Sequence, residues 1–143
     1  MATRTPRSDV NQVLVRAARA HRGEAARLLG GLGLHPGQEA LLQVLWERDG
    51  RTQAELAREL GVEAPTVTKM LQRMEQADLV ERSGDPQDRR ALRVRLTTRG
   101  KRLRPRVERA LAELRSRTVA GLSAREQAQL RALLARVAEN LSD

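Results

Sequence analysis

Ten cations stand between Arg82 and Arg106, a span of 25 residues that includes Arg89, Arg90, Arg93, Arg95, Arg99, Lys101, Arg102 and Arg104. Only two acids share it, Asp85 and Asp88, so the span nets +8 of the chain's formal +9. The rest of the 143 residues is nearly neutral. Concentrated positive charge on a neutral body is what a polyanion-binding surface requires. All but two of the 27 basic residues are arginine, the exceptions being Lys69 and Lys101. The planar guanidinium donates in pairs and suits phosphate and guanine. A GC-rich genome would produce the same excess of arginine, so placement carries more weight than type. The plain alternative is a solvated arginine-rich face.

Other chemistry finds little support. The chain has no cysteine, which excludes disulfides, thiol catalysis, thiol redox sensing and cysteine-ligated metal centres. Its two histidines, His21 and His35, fall into no metal-ligand spacing. There is no nucleophile–base pair and no phosphate-cradling glycine loop, so neither an enzyme nor a bound cofactor or metal is expected. No apolar run approaches 18 residues, so no membrane association is expected. Met1 to Asp9 is polar and lacks the apolar stretch of a secretory signal. The cytoplasm is the expected setting. Hydrophobic residues at 40% and charged residues at 31% describe a globular chain of single-domain size.

The elements that must position the cations follow from periodicity. Residues 1–8 read as a flexible basic tail, after which Ser8 caps a helix from about Asp9 to Leu29 with an apolar stripe at helical period. Pro36 is placed for the first turn of a second helix, apolar nearly all round and closed by Asp49-Gly50. Trp46, the only aromatic residue, reads first as a core anchor of that helix. Thr52 and Glu55 fit a capping box for a short third helix that Gly61 ends, and Ser123 and Glu126 fit another for the last helix. A fourth helix runs to about Ala77 with Val67, Met70, Leu71 and Met74 as its apolar stripe and Pro65 in its first turn. Its other faces carry Thr66, Thr68, Lys69, Gln72 and Arg73. Leu79 to Arg82 reads as a strand, Ser83 to Asp88 as a turn-rich loop, and Ala91 to Leu96 as a strand with Leu92, Val94 and Leu96 on one side. A long helix from Thr97 or Thr98 to about Leu122 should kink near residues 101–105, because Pro105 cannot donate to Lys101. The last helix spans about Ala124 to Leu141.

Helix, short connection, helix and hairpin between residues 52 and 96 make a helix-turn-helix with a wing. A helix of this kind fits the major groove of B-form DNA, and a cationic hairpin tip suits the narrow minor groove beside it. The plain alternative for Gln72 and the threonines is a solvated helix face, and for Asp88 a residue capping its own loop.

At this point the chain resembles the MarR family of bacterial transcription regulators. The carrying residues are Leu56 to Gly61, Thr66 to Glu75, Leu79 to Arg82, and Asp85 through Arg90 and Ala91 into Val94 to Gly100. Asp88-Arg89-Arg90 followed by Leu96-Thr97 is the most specific part. Two positions depart from the pattern: Pro65 stands where a small hydroxyl residue is usual, and Asp78 where glycine is usual. The resemblance implies a mainly α fold with a β-hairpin wing, made into a homodimer that binds a palindromic operator in double-stranded DNA. Residues 9–34 and 98–143 would form the dimerisation region and residues 35–97 the DNA-binding region. By carry-over, Arg90 enters the minor groove with Asp88 orienting it and Arg89 beside it. Thr66, Thr68, Lys69 and Gln72 face the major groove, and Arg73 a phosphate. The resemblance further implies a repressor released by a small-molecule effector such as an aromatic acid, with Arg16, His21, His35 and Trp46 lining its cleft. The apolar stripes of the first and last helices argue independently for two-fold pairing, the alternative being an intramolecular three-helix packing. A winged-helix adapter that docks an acidic protein partner is the competing function.

Overall fold

Val10–Gly30 forms α1, Gln38–Glu47 α2, Gln53–Leu60 α3 and Ala64–Gln76 α4; a short β1, Arg51–Thr52, precedes α3. Val80–Asp85 and Asp88–Leu96 are β2 and β3, and Thr98–Arg102, Arg104–Thr118 and Ala124–Leu141 are α5, α6 and α7. These elements come from a computed structural model that describes residues 9–142, so the tail expected over residues 1–8 and the cap expected at Ser8 lie outside them. The strands make one antiparallel sheet in the order β1-β3-β2, with Arg51 opposite Val94 and Arg82 also opposite Val94 on the other edge.

The core gathers under the helix-turn-helix. Leu41, Leu42 and Leu45 of α2, Leu56 of α3, and Val67, Leu71 and Met74 of α4 are fully buried, and Val80 and Val94 close the cluster from the sheet. Those seven helix positions follow the apolar stripes of the sequence, because burying one stripe per helix is what stabilises helices this short. Between α4 and β2 the chain turns on Asp78, which takes φ +59 in the glycine position. Its carbonyl accepts a 2.6 Å hydrogen bond from the Thr97 hydroxyl, so the turn survives without glycine.

Several local expectations are corrected. α2 begins at Gln38 with Gly37 as its N-cap, so Pro36 lies ahead of the first turn. At the start of α3 the Thr52 hydroxyl accepts from the Glu55 amide at 3.1 Å, but the Glu55 carboxylate turns to Arg48 at 3.1 Å. An arginine within reach outcompetes a backbone amide for a carboxylate. The box at Ser123 and Glu126 is complete. The interruption expected at residues 101–105 falls at Leu103 and divides the long helix into two, α5 and α6. Pro105 withholds the amide that would continue the ladder. The second piece ends at Thr118, ahead of the expected Leu122. The loop expected over residues 83–88 is mostly strand; only Pro86 and Gln87 lie outside the ladder.

α1 lies along α6, and a carboxylate ties them. Glu24 of α1 pairs with Arg117 of α6 and, at 2.6 Å, with Arg27 one turn on. The Arg27 hydrogen bond, aided by the charge of Arg117, lowers the Glu24 pKa from 4.5 to about 2. A carboxylate depressed in the folded state stabilises above its unfolded pKa and loses that contribution as pH falls through the folded one. The melting-temperature difference between wild type and Glu24→Gln is therefore expected to be present at pH 6 and to shrink between about pH 4.5 and 2. A difference that stays flat across that window would show that the pair contributes nothing.

Candidate nucleic-acid interface

The outer side of α4 is set by what its inner side buries. With Val67, Leu71 and Met74 turned inward, Thr66, Lys69, Gln72 and Arg73 are exposed. Thr66, Lys69 and Arg73 fall at i, i+3 and i+7, one stripe of a helix. Together with Met70 they border a groove of about 220 Å³ whose far wall is His35, Pro36 and Gln38, at the start of α2. Thr68 differs from the other four. Its hydroxyl donates to the Ala64 carbonyl at 3.1 Å and accepts from Gln53 Nε2 at 3.4 Å, so its proton is committed to the fold.

The wing is built by its carboxylates. Asp85 is buried at the tip, where its Oδ1 accepts from the Gln87 amide at 2.9 Å and its Oδ2 lies 3.1 Å from Arg93 Nη2. The backbone hydrogen bond, then Arg93, holds the Asp85 carboxyl below the ordinary carboxylate range. Arg93 also donates to the Gly50 carbonyl at 2.6 Å, which anchors the wing to the chain just before β1. Asp88 Oδ1 accepts from the Arg90 backbone amide at 3.0 Å. Asp88 thus shapes the backbone at Arg90, with no bond to the guanidinium. Arg89 and Arg90 are exposed and have no acidic partner among the described residues. Arg90 borders, with Asp88, Leu92 and Gln53, a concavity between the wing and the start of α3.

The cationic span divides in two in space. Arg89 to Leu96 is seven extended steps, about 23 Å at 3.3 Å each, so the cations from Arg99 onward stand far from the wing tip. Not all ten are free: Arg82 pairs with Glu75, Arg93 with Asp85 and Arg104 with Glu108. A +8 patch in sequence is in space a wing tip carrying two unpaired arginines and a second basic surface on α5 and α6. Asp85 and Arg93 as a latch were missed because their pairing crosses the hairpin; a turn residue facing an alternating strand position was the available signal.

The four effector-cleft candidates are not gathered into one cavity among the described residues. Arg16 lines a shallow surface of α1 with Val15 and Arg19. His21 borders a groove of about 270 Å³ between α1 and α6 that Glu24, Leu114 and Arg117 complete. His35 faces α4. The Trp46 indole is partly buried and donates to the Gly100 carbonyl at 3.0 Å, a bond that fixes α2 to α5. Among the described residues no helix is long and apolar enough to cross a membrane.

Residues 34–92 match a sequence model described as the MarR family. The chain is 32% identical to a probable transcriptional regulator from Pseudomonas aeruginosa, with 91% of this chain and 97% of that one covered and a TM-score of 0.81. It is 26% identical to the PcaV transcriptional regulator from Streptomyces coelicolor, solved with its natural ligand, over 99% and 100% of the two chains at a TM-score of 0.85. A mutant MarR from E. coli complexed with operator DNA is 26% identical over 90% and 92%, at 0.81.

Proposed function

Since this chain belongs to the MarR family of transcriptional regulators, we propose that it works as a homodimeric repressor of a palindromic operator, released by a small-molecule effector. The observation that carries this reading is the pair of unpartnered arginines on the wing, Arg89 and Arg90, beside a recognition helix whose exposed stripe is Thr66, Lys69 and Arg73. A groove-bound helix flanked by a cationic hairpin reads base edges with one and the minor groove with the other. Lys69, Gln72 and Thr66 are the base-facing residues in this reading, Arg73 binds phosphate, and Arg90 enters the minor groove.

The dimer is supported by what a single chain leaves uncovered. α7 buries none of its residues, and Leu133, Leu134 and Leu141 are 57%, 46% and 76% exposed. Val10, Val13 and Val15 of α1 are likewise exposed. An apolar stripe of this extent in water is stabilised by a two-fold mate, and two recognition helices are then presented one turn of DNA apart, about 34 Å. The effector would enter the α1–α6 groove at His21, where Arg117 is the cation at hand; Arg16, on another face of α1, takes no part in it. The PcaV structure with its natural ligand supports a ligand-responsive reading.

The test is selection of bound fragments from the host genome, followed by titration. Expected are palindromic duplexes bound with affinity that falls steeply with salt. The variant carrying Leu133→Glu and Leu134→Glu should sediment as a monomer and lose operator binding at concentrations where the wild type is saturated. Salt-insensitive binding, or recovery of a protein partner with no selected duplex, would favour the adapter.

A further inference from the structure

Four side chains that read no base join three elements of the interface. Arg82 of β2 donates through Nε to the Glu75 carboxylate of α4, and its Nη1 lies 3.4 Å from Gln53 Oε1 at the start of α3. Gln53 in turn donates to the Thr68 hydroxyl of α4 at 3.4 Å. The Arg82 and Glu75 side chains are only 20% and 35% exposed, so their attraction is less screened than that of a surface pair. Position gives the network its meaning. Val80 is the last buried residue of β2 before the strand leaves the core, and Ser83 and Gly84 beyond Arg82 are exposed. Arg82 is therefore the last grip that β2 has on the helix-turn-helix before the wing projects.

We infer that Gln53, Thr68, Glu75 and Arg82 form a bracket that sets the angle between wing and recognition helix, making them positioning residues for DNA binding. The inference rests on the DNA-binding reading above. Without the bracket, the wing pivots about β1 and the Arg93 anchor at Gly50, and Arg90 reaches the minor groove only part of the time. The network also neutralises Glu75, the one acid of α4.

Glu75→Gln separates this from plain electrostatics by sign. Removing an acid from a DNA-facing helix should tighten binding if charge alone matters. The bracket predicts the reverse: a loss of about tenfold, the scale of coupling between contacting charged groups. Hydroxyl-radical footprints of a selected duplex should then lose protection in the flanking minor groove and keep it in the central major-groove half-sites. A variant that was merely unstable would lose both together. The swap Glu75→Arg with Arg82→Glu should restore flank protection. Unchanged or tighter binding by Glu75→Gln with flank protection intact overturns the bracket. Should Glu75→Gln melt below the assay temperature, Gln53→Ala takes its place, with about threefold weaker binding expected and unchanged affinity and footprint overturning the proposal. A wild-type chain that binds no selected duplex overturns the DNA-binding reading and the bracket with it, whereas wild-type binding with intact flanks in the variants overturns the bracket alone.

Discussion

Arg90→Ala is expected to weaken operator binding by at least about 30-fold. A well-placed arginine contributes about 1–3 kcal/mol at a DNA groove, and a dimer is deprived of two of them at once. Arg90 is exposed on the wing, without an acid to neutralise it, and its backbone is held by Asp88 at 3.0 Å. The backbone that carries the guanidinium is therefore pre-placed, and what is left to order on binding is the Arg90 side chain itself. Truncation should leave the fold intact, because no hydrogen bond of the Arg90 side chain supports the hairpin; the tip is held by Asp85, Gln87 and Arg93. Titrations at several salt concentrations should show the slope of log affinity against log salt becoming shallower by about one for each phosphate left without its cation. Arg131→Ala, an exposed cation of α7, serves as the control, and equal losses from both variants would refute the wing assignment.

Gly100→Ala is expected to cost about 3 kcal/mol or more of folding stability, the upper range for forced overpacking. A Cβ at Gly100 would stand 2.2 Å from the Leu79 carbonyl oxygen and 3.2 Å from Leu96. The Leu79 oxygen cannot swing aside, because it accepts the Thr97 amide at 3.1 Å. Moving α5 instead would stretch the bond from the Gly100 amide to the Thr97 hydroxyl and the bond from the Trp46 indole to the Gly100 carbonyl. In a chain of this length the melting temperature should fall by roughly 10 °C. A fall of under about 2 °C by calorimetry would show that α5 can shift at little cost.

The hairpin shows where legibility stops. Alternation in Leu92, Val94 and Leu96 assigns all three to one face, and Val94 and Leu96 are buried there. Leu92 is 44% exposed, because that part of the wing has run out beyond the body. Period two reports which side a residue faces and nothing of what lies beneath. β1 could not be read at all: two residues carry no period, and Arg51 and Thr52 become a strand only because Val94 and Arg93 stand opposite. The same holds for the cations. Their number and spacing are visible in the chain, but which are spent on ion pairs depends on Asp85, Glu75 and Glu108, of which only Glu108 lies within one helical turn of its partner.

By itself the sequence determined the succession of α1 to α4 and the hairpin, the buried stripes of α2, α3 and α4, the start and end of α7, and the cationic wing, because each rests on local periodicity, capping or turn chemistry. Tertiary structure alone decided that the +8 span divides into two surfaces, that Trp46 and Gly100 lock α2 to α5, that Thr68 is held by Gln53, and that α7 is left uncovered within one chain. Those outcomes depend on pairings between residues far apart in the chain. Their free energy comes from desolvation and geometry where the groups meet, which no local pattern encodes.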